Sequence, residues 1–172
     1  MKRFLLLISI LLVGCSSNKV VFDYDNSINF NNYKTFDFFE DAGEGLSELD
    51  IKRIKSELTE QLLVKGISQK ENPDFYINFL ANTKEEPSRN SIGIGLGSGG
   101  SNVGFGVSGG IPIERNKLVQ ELTVNFVKNE NNDLIWQSIA KGVLKEQTTP
   151  DERDDYYKKI ITEVIKGYPP KK

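Results

Sequence analysis

The sequence predicts a single α+β domain, with a mostly antiparallel sheet, two helices packed on one face and a glycine-rich hairpin. Several segments alternate apolar and polar residues, which is typical of half-buried strands. Two other segments space their apolar residues by three and four, as amphipathic helices do. Short turns join many of the strands, which favours an antiparallel sheet covered by helices on one face.

The first two strands are predicted at residues 20–25 and 33–39. In the first, Val20, Phe22 and Tyr24 fall on one side of the strand. Aromatic residues and a threonine favour β-structure in the second. A turn region lies between them.

The first helix is predicted to begin after Ser47, with Asp50 three residues later forming a weak capping box. Gly66 is expected to end this helix, and Ile67 offers the apolar contact that often follows a glycine stop. Four residues form its apolar face: Ile51, Ile54, Leu58 and Leu62.

Three further strands are predicted, at residues 75–80, 118–126 and 134–140. The charged stretch 84–87 is expected to end the first of these. Residues 129–133 read as a hairpin connection, and a continuation of the last strand to Leu144 is left open. Trp136 is predicted to be a core residue.

The second helix has the clearest start signal in the chain. Thr149 is the predicted N-cap, Pro150 takes the first helical position and Glu152 completes a capping box. Gly167 is expected to end the helix. Five residues form its apolar stripe: Tyr157, Ile160, Ile161, Val164 and Ile165.

Residues 91–110 form the glycine-rich segment, in which two arms alternate glycine or serine with apolar residues. Gly-x-Gly-x-x-Gly occurs twice, but no helix follows to receive a pyrophosphate, so a nucleotide site is not predicted. We interpret the segment as a hairpin whose apolar face packs on the domain or, alternatively, docks a protein; bilayer spanning is disfavoured because the arms are short. The apolar positions of this possible docking hairpin are Ile92, Ile94, Leu96, Val103, Phe105 and Val107.

The N-terminus reads as a secretion signal. Lys2 and Arg3 precede about ten apolar residues, half of what a membrane-spanning helix requires. The stretch that ends in Gly14 and Cys15 resembles the lipobox of bacterial lipoproteins, in which the cysteine is acylated and the chain is cut just before it. We therefore predict a signal peptide at residues 1–14, a lipidated Cys15 with a short tether at residues 15–19, and one domain over residues 20–170.

Composition excludes several kinds of chemistry. The chain has no histidine and only one cysteine, so imidazole-based zinc sites, Ser/His or Cys/His pairs and disulfides are ruled out. The full chain has 22 basic and 24 acidic residues. Removal of the signal peptide takes away two basic residues, Lys2 and Arg3, and leaves a net charge of −4. Such a chain is poorly suited to bind nucleic acid, and the sequence points to no cofactor and no metal.

Carboxylates remain as candidates for acid–base work. Asp23 and Asp25 share one face of the first strand, Asp74 precedes an apolar strand, and Glu121 lies within another. We interpret each as a solvated strand or turn residue. The acidic residues at 151–155 are interpreted as complementing the positive end of a helix dipole.

Several segments together resemble a family of bacterial envelope lipoproteins described only as a domain of unknown function, DUF4136. The resemblance covers nearly the whole mature chain and implies an α+β envelope domain without an established catalytic residue. It is carried by the lipobox at Cys15 and by these segments: Asp23-Tyr24-Asp25, Phe30 with 33–36, Pro73-Asp74-Phe75, the glycine-rich middle, Leu134-Ile135-Trp136 with Ala140, and Tyr168-Pro169-Pro170.

The expected function is that of a membrane-anchored, non-enzymatic protein that binds a protein or ligand in the cell envelope. Its partners would be the membrane, through lipid on Cys15, and an envelope protein. Ser16 follows Cys15, which under the sorting rule of enteric bacteria favours the periplasmic face of the outer membrane. Two alternatives stay open: a structural protein that self-assembles through the glycine-rich hairpin, and an envelope hydrolase that uses paired carboxylates.

Overall fold

Six strands and two helices make up the part of the chain that the computed structural model describes, residues 19–87, 116–145 and 147–171. This confirms the predicted α+β class. No helix in these residues has the length and apolar character needed to cross a membrane. In chain order the elements are β1 (Lys19–Tyr24), a 3-10 turn (Phe30–Asn32), β2 (Thr35–Phe38), α1 (Glu48–Val64), β3 (Ser68–Gln69), β4 (Phe75–Pro87), β5 (Asn116–Lys128), β6 (Leu134–Leu144) and α2 (Pro150–Lys166).

The strands form one mixed sheet in the order β1-β6-β5-β4-β2-β3. The pairs β1–β6, β6–β5 and β5–β4 are antiparallel, as the short turns predict. The pairs β4–β2 and β2–β3 are parallel, because α1 returns the chain to the same end of the sheet. The sequence did not reveal β3, which has only two residues.

Both helices pack on one face of the sheet and bury their apolar stripes against it. Trp136 is fully buried, as predicted. It belongs to an aromatic cluster centred on Phe126, whose ring centroid lies 4.6 Å from that of Trp136 and 4.7 Å from that of Tyr168. A β-bulge beside Phe126 leaves Ile135 out of register, so Ile135 and Trp136 are both buried.

The helix starts follow the predicted capping residues. The Ser47 side chain accepts a hydrogen bond from the Asp50 N–H, and Thr149 and Glu152 form a complete capping box. Asp50 does not close a capping box on α1, because its carboxylate is buried and turned to other partners. Gly66 has a positive φ of 77° just after α1, and Ile67 is buried behind it.

The expectation that the charged stretch 84–87 ends a strand is wrong. β4 continues to Pro87, which pairs with Asn116 at the start of β5. Lys84, Glu85 and Glu86 are exposed, so pairing satisfies their backbone groups without burying charge. Gly14, Cys15 and the predicted glycine-rich hairpin lie outside the described residues.

Gly45 and Gly66 offer a matched test of local packing, because their φ angles are +78° and +77°. We expect Gly66→Ala to destabilise the fold by about 1 kcal/mol, the cost of left-handed backbone alone. A Cβ on Gly45 would lie 2.0 Å from the Ala81 carbonyl oxygen, so Gly45→Ala should cost about 3 kcal/mol. Urea unfolding measures both, and equal losses would contradict the close approach of Gly45 to Ala81.

Candidate functional site

An open groove lies between β2 and α1. Its volume is about 590 Å³, within the range of small-molecule or side-chain sites. The groove is lined by residues of β2, α1 and β3 and by the two residues that follow β2. These segments meet because α1 connects β2 to β3, and the two strands pair side by side at the edge of the sheet. Its lining residues are Asp37, Phe38, Phe39, Glu40, Lys55, Ser56, Thr59, Glu60, Leu63 and Gln69.

Aromatic side chains form the floor of the groove. The Phe38 ring packs edge-on against the buried rings of Phe36 and Phe79. Lys55 Nζ lies 5.3 Å from the centroid of the Phe38 ring, a cation–π distance. The floor therefore already holds one cationic group over an aromatic face.

Three carboxylates line the same groove, and one of them is fixed. Asp37 Oδ1 accepts hydrogen bonds from Gln69 Nε2 at 2.8 Å and from the Phe38 N–H at 2.9 Å. Glu40 and Glu60 are exposed. Among the described residues Lys55 is the single cation that lines the groove. The groove therefore carries excess negative charge over an aromatic floor, which suits a basic group that has an apolar stem.

A second polar cluster joins the N-terminal ends of the two helices. Asp50 is 2% exposed and accepts two hydrogen bonds from Arg153, at 3.0 and 2.8 Å. Arg53 Nη1 lies 3.3 Å from Asp50 Oδ1 and also pairs with Asp154. Burial works to raise the pKa of Asp50, but the hydrogen bonds from Arg153 and Ser47 outweigh it and lower that pKa. The two charges on α1, Asp50 and Arg53, are thus paired with two on α2, Arg153 and Asp154. This cluster of ion pairs holds the N-terminal ends of the two helices together.

The sheet face opposite the helices carries alternating rows of side chains. One row crosses four strands with polar groups, and within it Gln137 Nε2 donates to Asn125 Oδ1 at 2.8 Å. Two rows further along, Lys141 pairs with Glu121 at 2.8 Å. Between them lies a mainly apolar row. The polar row is Asn78, Asn125, Gln137 and Asp23, and the mainly apolar row is Leu80, Thr123, Ile139 and Val21.

The predicted candidate carboxylates are separated and structurally engaged. Asp25 accepts two hydrogen bonds from Ser27, whose hydroxyl is the main cause of a lowered Asp25 pKa. Asp23 accepts one from the Tyr24 N–H at 2.9 Å. Glu121 is paired with Lys141 on the neighbouring strand.

Asp74 is a clamp between two strands. Its Oδ2 accepts from the Lys34 and Thr35 N–H groups at 2.7 and 2.8 Å and from Thr35 Oγ1 at 2.9 Å. Desolvation works to raise the pKa of Asp74, but these hydrogen bonds outweigh it and lower that pKa. The carboxylate thus holds the start of β2 to the start of β4.

Glu57 is the one described carboxyl group with a raised pKa, caused mainly by burial and then by the nearby Glu60. Within the described ranges, no three acidic or thiol side chains converge in a way that could hold a metal ion. Sequence reasoning missed the groove and the Asp50–Arg153 pair, because both join residues that no local pattern connects.

The model of a protein family described as "Domain of unknown function (DUF4136)" matches residues 20–170. No curated protein matches the chain in sequence.

Solved structures share its fold at low identity. A PDZ domain protein from Parabacteroides distasonis aligns with a TM-score of 0.54 and 16% identity over 89% of this chain, which spans only 36% of that protein. The PelC dodecamer from Paraburkholderia phytofirmans gives 0.53 and 9% identity, over 87% of this chain and 96% of the other. A minor lipoprotein from Acinetobacter baumannii reaches only 0.42 at 9% identity, over 79% and 92% of the two chains, too low to support an argument.

The Asp50 clamp is testable by Asp50→Asn. Removing its charge leaves Arg153 without its partner, and we expect a loss of about 2–3 kcal/mol, because Arg153 keeps a third of its side chain exposed. Since the pKa of Asp50 is lowered in the folded state, its contribution is complete above pH of about 4 and is lost as pH falls through the folded pKa. The difference between wild type and variant should therefore shrink in acid.

The matched control is Asp155→Asn, an exposed aspartate on the same helix as Arg153, which should change stability by less than about 0.5 kcal/mol. Denaturant titrations at neutral and acidic pH measure both variants. A loss that is equal for the two, or independent of pH, would contradict the clamp.

Proposed function

Because the chain belongs to the DUF4136 family, whose description assigns no function, we propose its function from its own residues. It is a lipid-anchored, non-enzymatic protein of the cell envelope, held at the periplasmic face of the outer membrane, where it binds a partner protein. The membrane is its first partner, through Cys15. The acidic net charge disfavours nucleic acid as a second partner.

One observation supports this proposal most directly: β1 begins at Lys19, four residues after Cys15. Four residues span at most about 14 Å, so a lipid on Cys15 would hold the sheet close to the membrane. Each buried methylene of the acyl chains contributes about 0.8 kcal/mol to anchoring. The domain would thus follow its anchor directly.

The groove lies at the far end of the sheet from this anchor. Strand register places Phe38 level with Tyr24, the last residue of β1, through Ile77, Phe126 and Trp136. Three strands, β6, β5 and β4, separate β1 from β2, so β2 lies about 19 Å from β1 across the sheet. A groove in that position stays accessible when the chain is anchored.

The chemistry of the groove supports a basic partner segment. Its carboxylates favour a cation, and its aromatic floor favours the apolar stem of a lysine or arginine side chain. The predicted acid–base candidates Asp25, Asp74 and Glu121 are each engaged in a structural contact. That engagement supports binding over catalysis.

Replacement of Cys15 tests the anchor. We expect Cys15→Ala to lose metabolic labelling by radioactive palmitate and to leave the outer-membrane fraction of its host, because no thiol remains to be acylated. Ser17→Ala, in the same tether, should keep both properties. Persistent labelling of Cys15→Ala would contradict the anchor.

Photo-crosslinking in cells tests the groove independently. A probe at Glu60, which lines it, should give a discrete adduct with an envelope protein, whereas a probe at the exposed Lys159 on α2 should not. The adduct should weaken when Glu40 is replaced by lysine, since a basic segment would then meet like charge. An adduct that forms equally at both probes, or that ignores Glu40→Lys, would contradict a basic partner in the groove.

A further inference from the structure

We propose that β1 is a self-complementary edge that pairs antiparallel with β1 of a second copy of this chain, centred on Val21. This strand is the sheet edge opposite the one that carries the groove. The pairing involves only residues of β1 and does not depend on lipid at Cys15.

The outer edge of β1 is unpaired within the described ranges 19–87, 116–145 and 147–171, where β1 pairs only with β6. The Asp25 N–H donates to the Ile135 carbonyl oxygen, and Ser138 Oγ donates to that of Val21. The odd-numbered residues therefore turn their backbone groups towards β6. Because backbone direction alternates in an antiparallel ladder, Val20, Phe22 and Tyr24 turn theirs outward.

One register satisfies the outward backbone groups of Val20 and Phe22 and pairs the charged side chains at the same time. When Val21 lies opposite the partner's Val21, Val20 of each copy faces the partner's Phe22 and exchanges two backbone hydrogen bonds with it. In the same register Lys19 lies opposite the partner's Asp23, and Asp23 opposite the partner's Lys19. Opposite charges directly across a ladder stabilise it, and like charges destabilise it.

The apolar side chains of this strand are exposed and gain cover from the same register. Val21 is 55% exposed and Phe22 51% exposed. The Phe22 ring lies so close to Gly167 that a Cβ there would be 2.8 Å from it, which fixes one side of the ring. The partner's Val20 would cover another side, as aromatic and β-branched residues do across strands.

Asp23 also disfavours the neighbouring register, which would be centred on Phe22. Its Oδ1 accepts a hydrogen bond from the outward Tyr24 N–H at 2.9 Å, so Tyr24 has no free donor for a second strand. A register centred on Phe22 would need that donor, whereas the one centred on Val21 does not. Oδ2 of Asp23 is left for an ammonium group.

Membrane anchoring is compatible with this pair. The dyad that relates two antiparallel strands of one sheet is perpendicular to that sheet. The two chains therefore enter β1 from opposite ends but at the same height above a membrane parallel to the sheet. Two tethers of four residues each can then reach one membrane surface.

Cysteine crosslinking in cells tests the register. Non-hydrogen-bonded partners lie about 4.5 Å apart at Cα, which is within disulfide range. Val21→Cys should therefore give a disulfide-linked dimer on non-reducing gels, above the background set by the wild type, whose only cysteine is Cys15. Val143→Cys is the matched control, because Val143 is 54% exposed on the same face but off the dyad. Equal dimer from the two variants would overturn the proposal.

Charge reversal provides the second readout. Lys19→Asp and Asp23→Lys should each weaken the dimer about tenfold, since each places like charges opposite at two sites. The double variant should restore it, and Lys52→Asp on α1 should leave it unchanged. Sedimentation of the full mature chain in detergent measures all four. Two singles that match wild type, or a double that fails to recover, would overturn the proposal.

Discussion

Burial of aromatic side chains between the sheet and α2 is the constraint on which the rest of this structure depends. Phe126 contacts Trp136 on one neighbouring strand, Phe75 on the other, and Tyr168 just after α2. Tyr168 in turn contacts Phe30, between β1 and β2. A chain that has one cysteine and no histidine can use neither an internal disulfide nor an imidazole-bound metal. Instead of a disulfide or a bound metal, this aromatic cluster joins both ends of the described domain.

Features that depend on local sequence could be predicted, and features that depend on distant partners could not. Thr149 and Glu152 form the expected capping box because both partners lie within one helical turn. The parallel pairing of β2 escaped prediction, since the contacts that fix it come from residues about 40 positions away, such as Asp74. The charged end of β4 escaped prediction for a related reason. Its backbone pairs with β5 while its charged side chains remain in solvent, so the local charge does not end the strand.

The same distinction applies to function. The predicted lipobox is a contiguous motif, so the sequence alone is enough to propose a role for it. The groove brings together Phe38, Lys55 and Gln69, which share no period or spacing that would connect them before folding. Asp50 was recognised as a residue of the helix start, but its partner Arg153 is 103 residues away, and only the packing of α1 beside α2 reveals the pair.

The position of the single tryptophan has an experimental consequence. Trp136 is fully buried, and its Nε1 has no hydrogen-bond partner among the described residues. An indole in such dry surroundings emits at short wavelength, and it shifts to longer wavelength once water reaches it. Because Trp136 lies where β6, β5 and the end of α2 meet, its native fluorescence reports the integrity of the whole domain without any label.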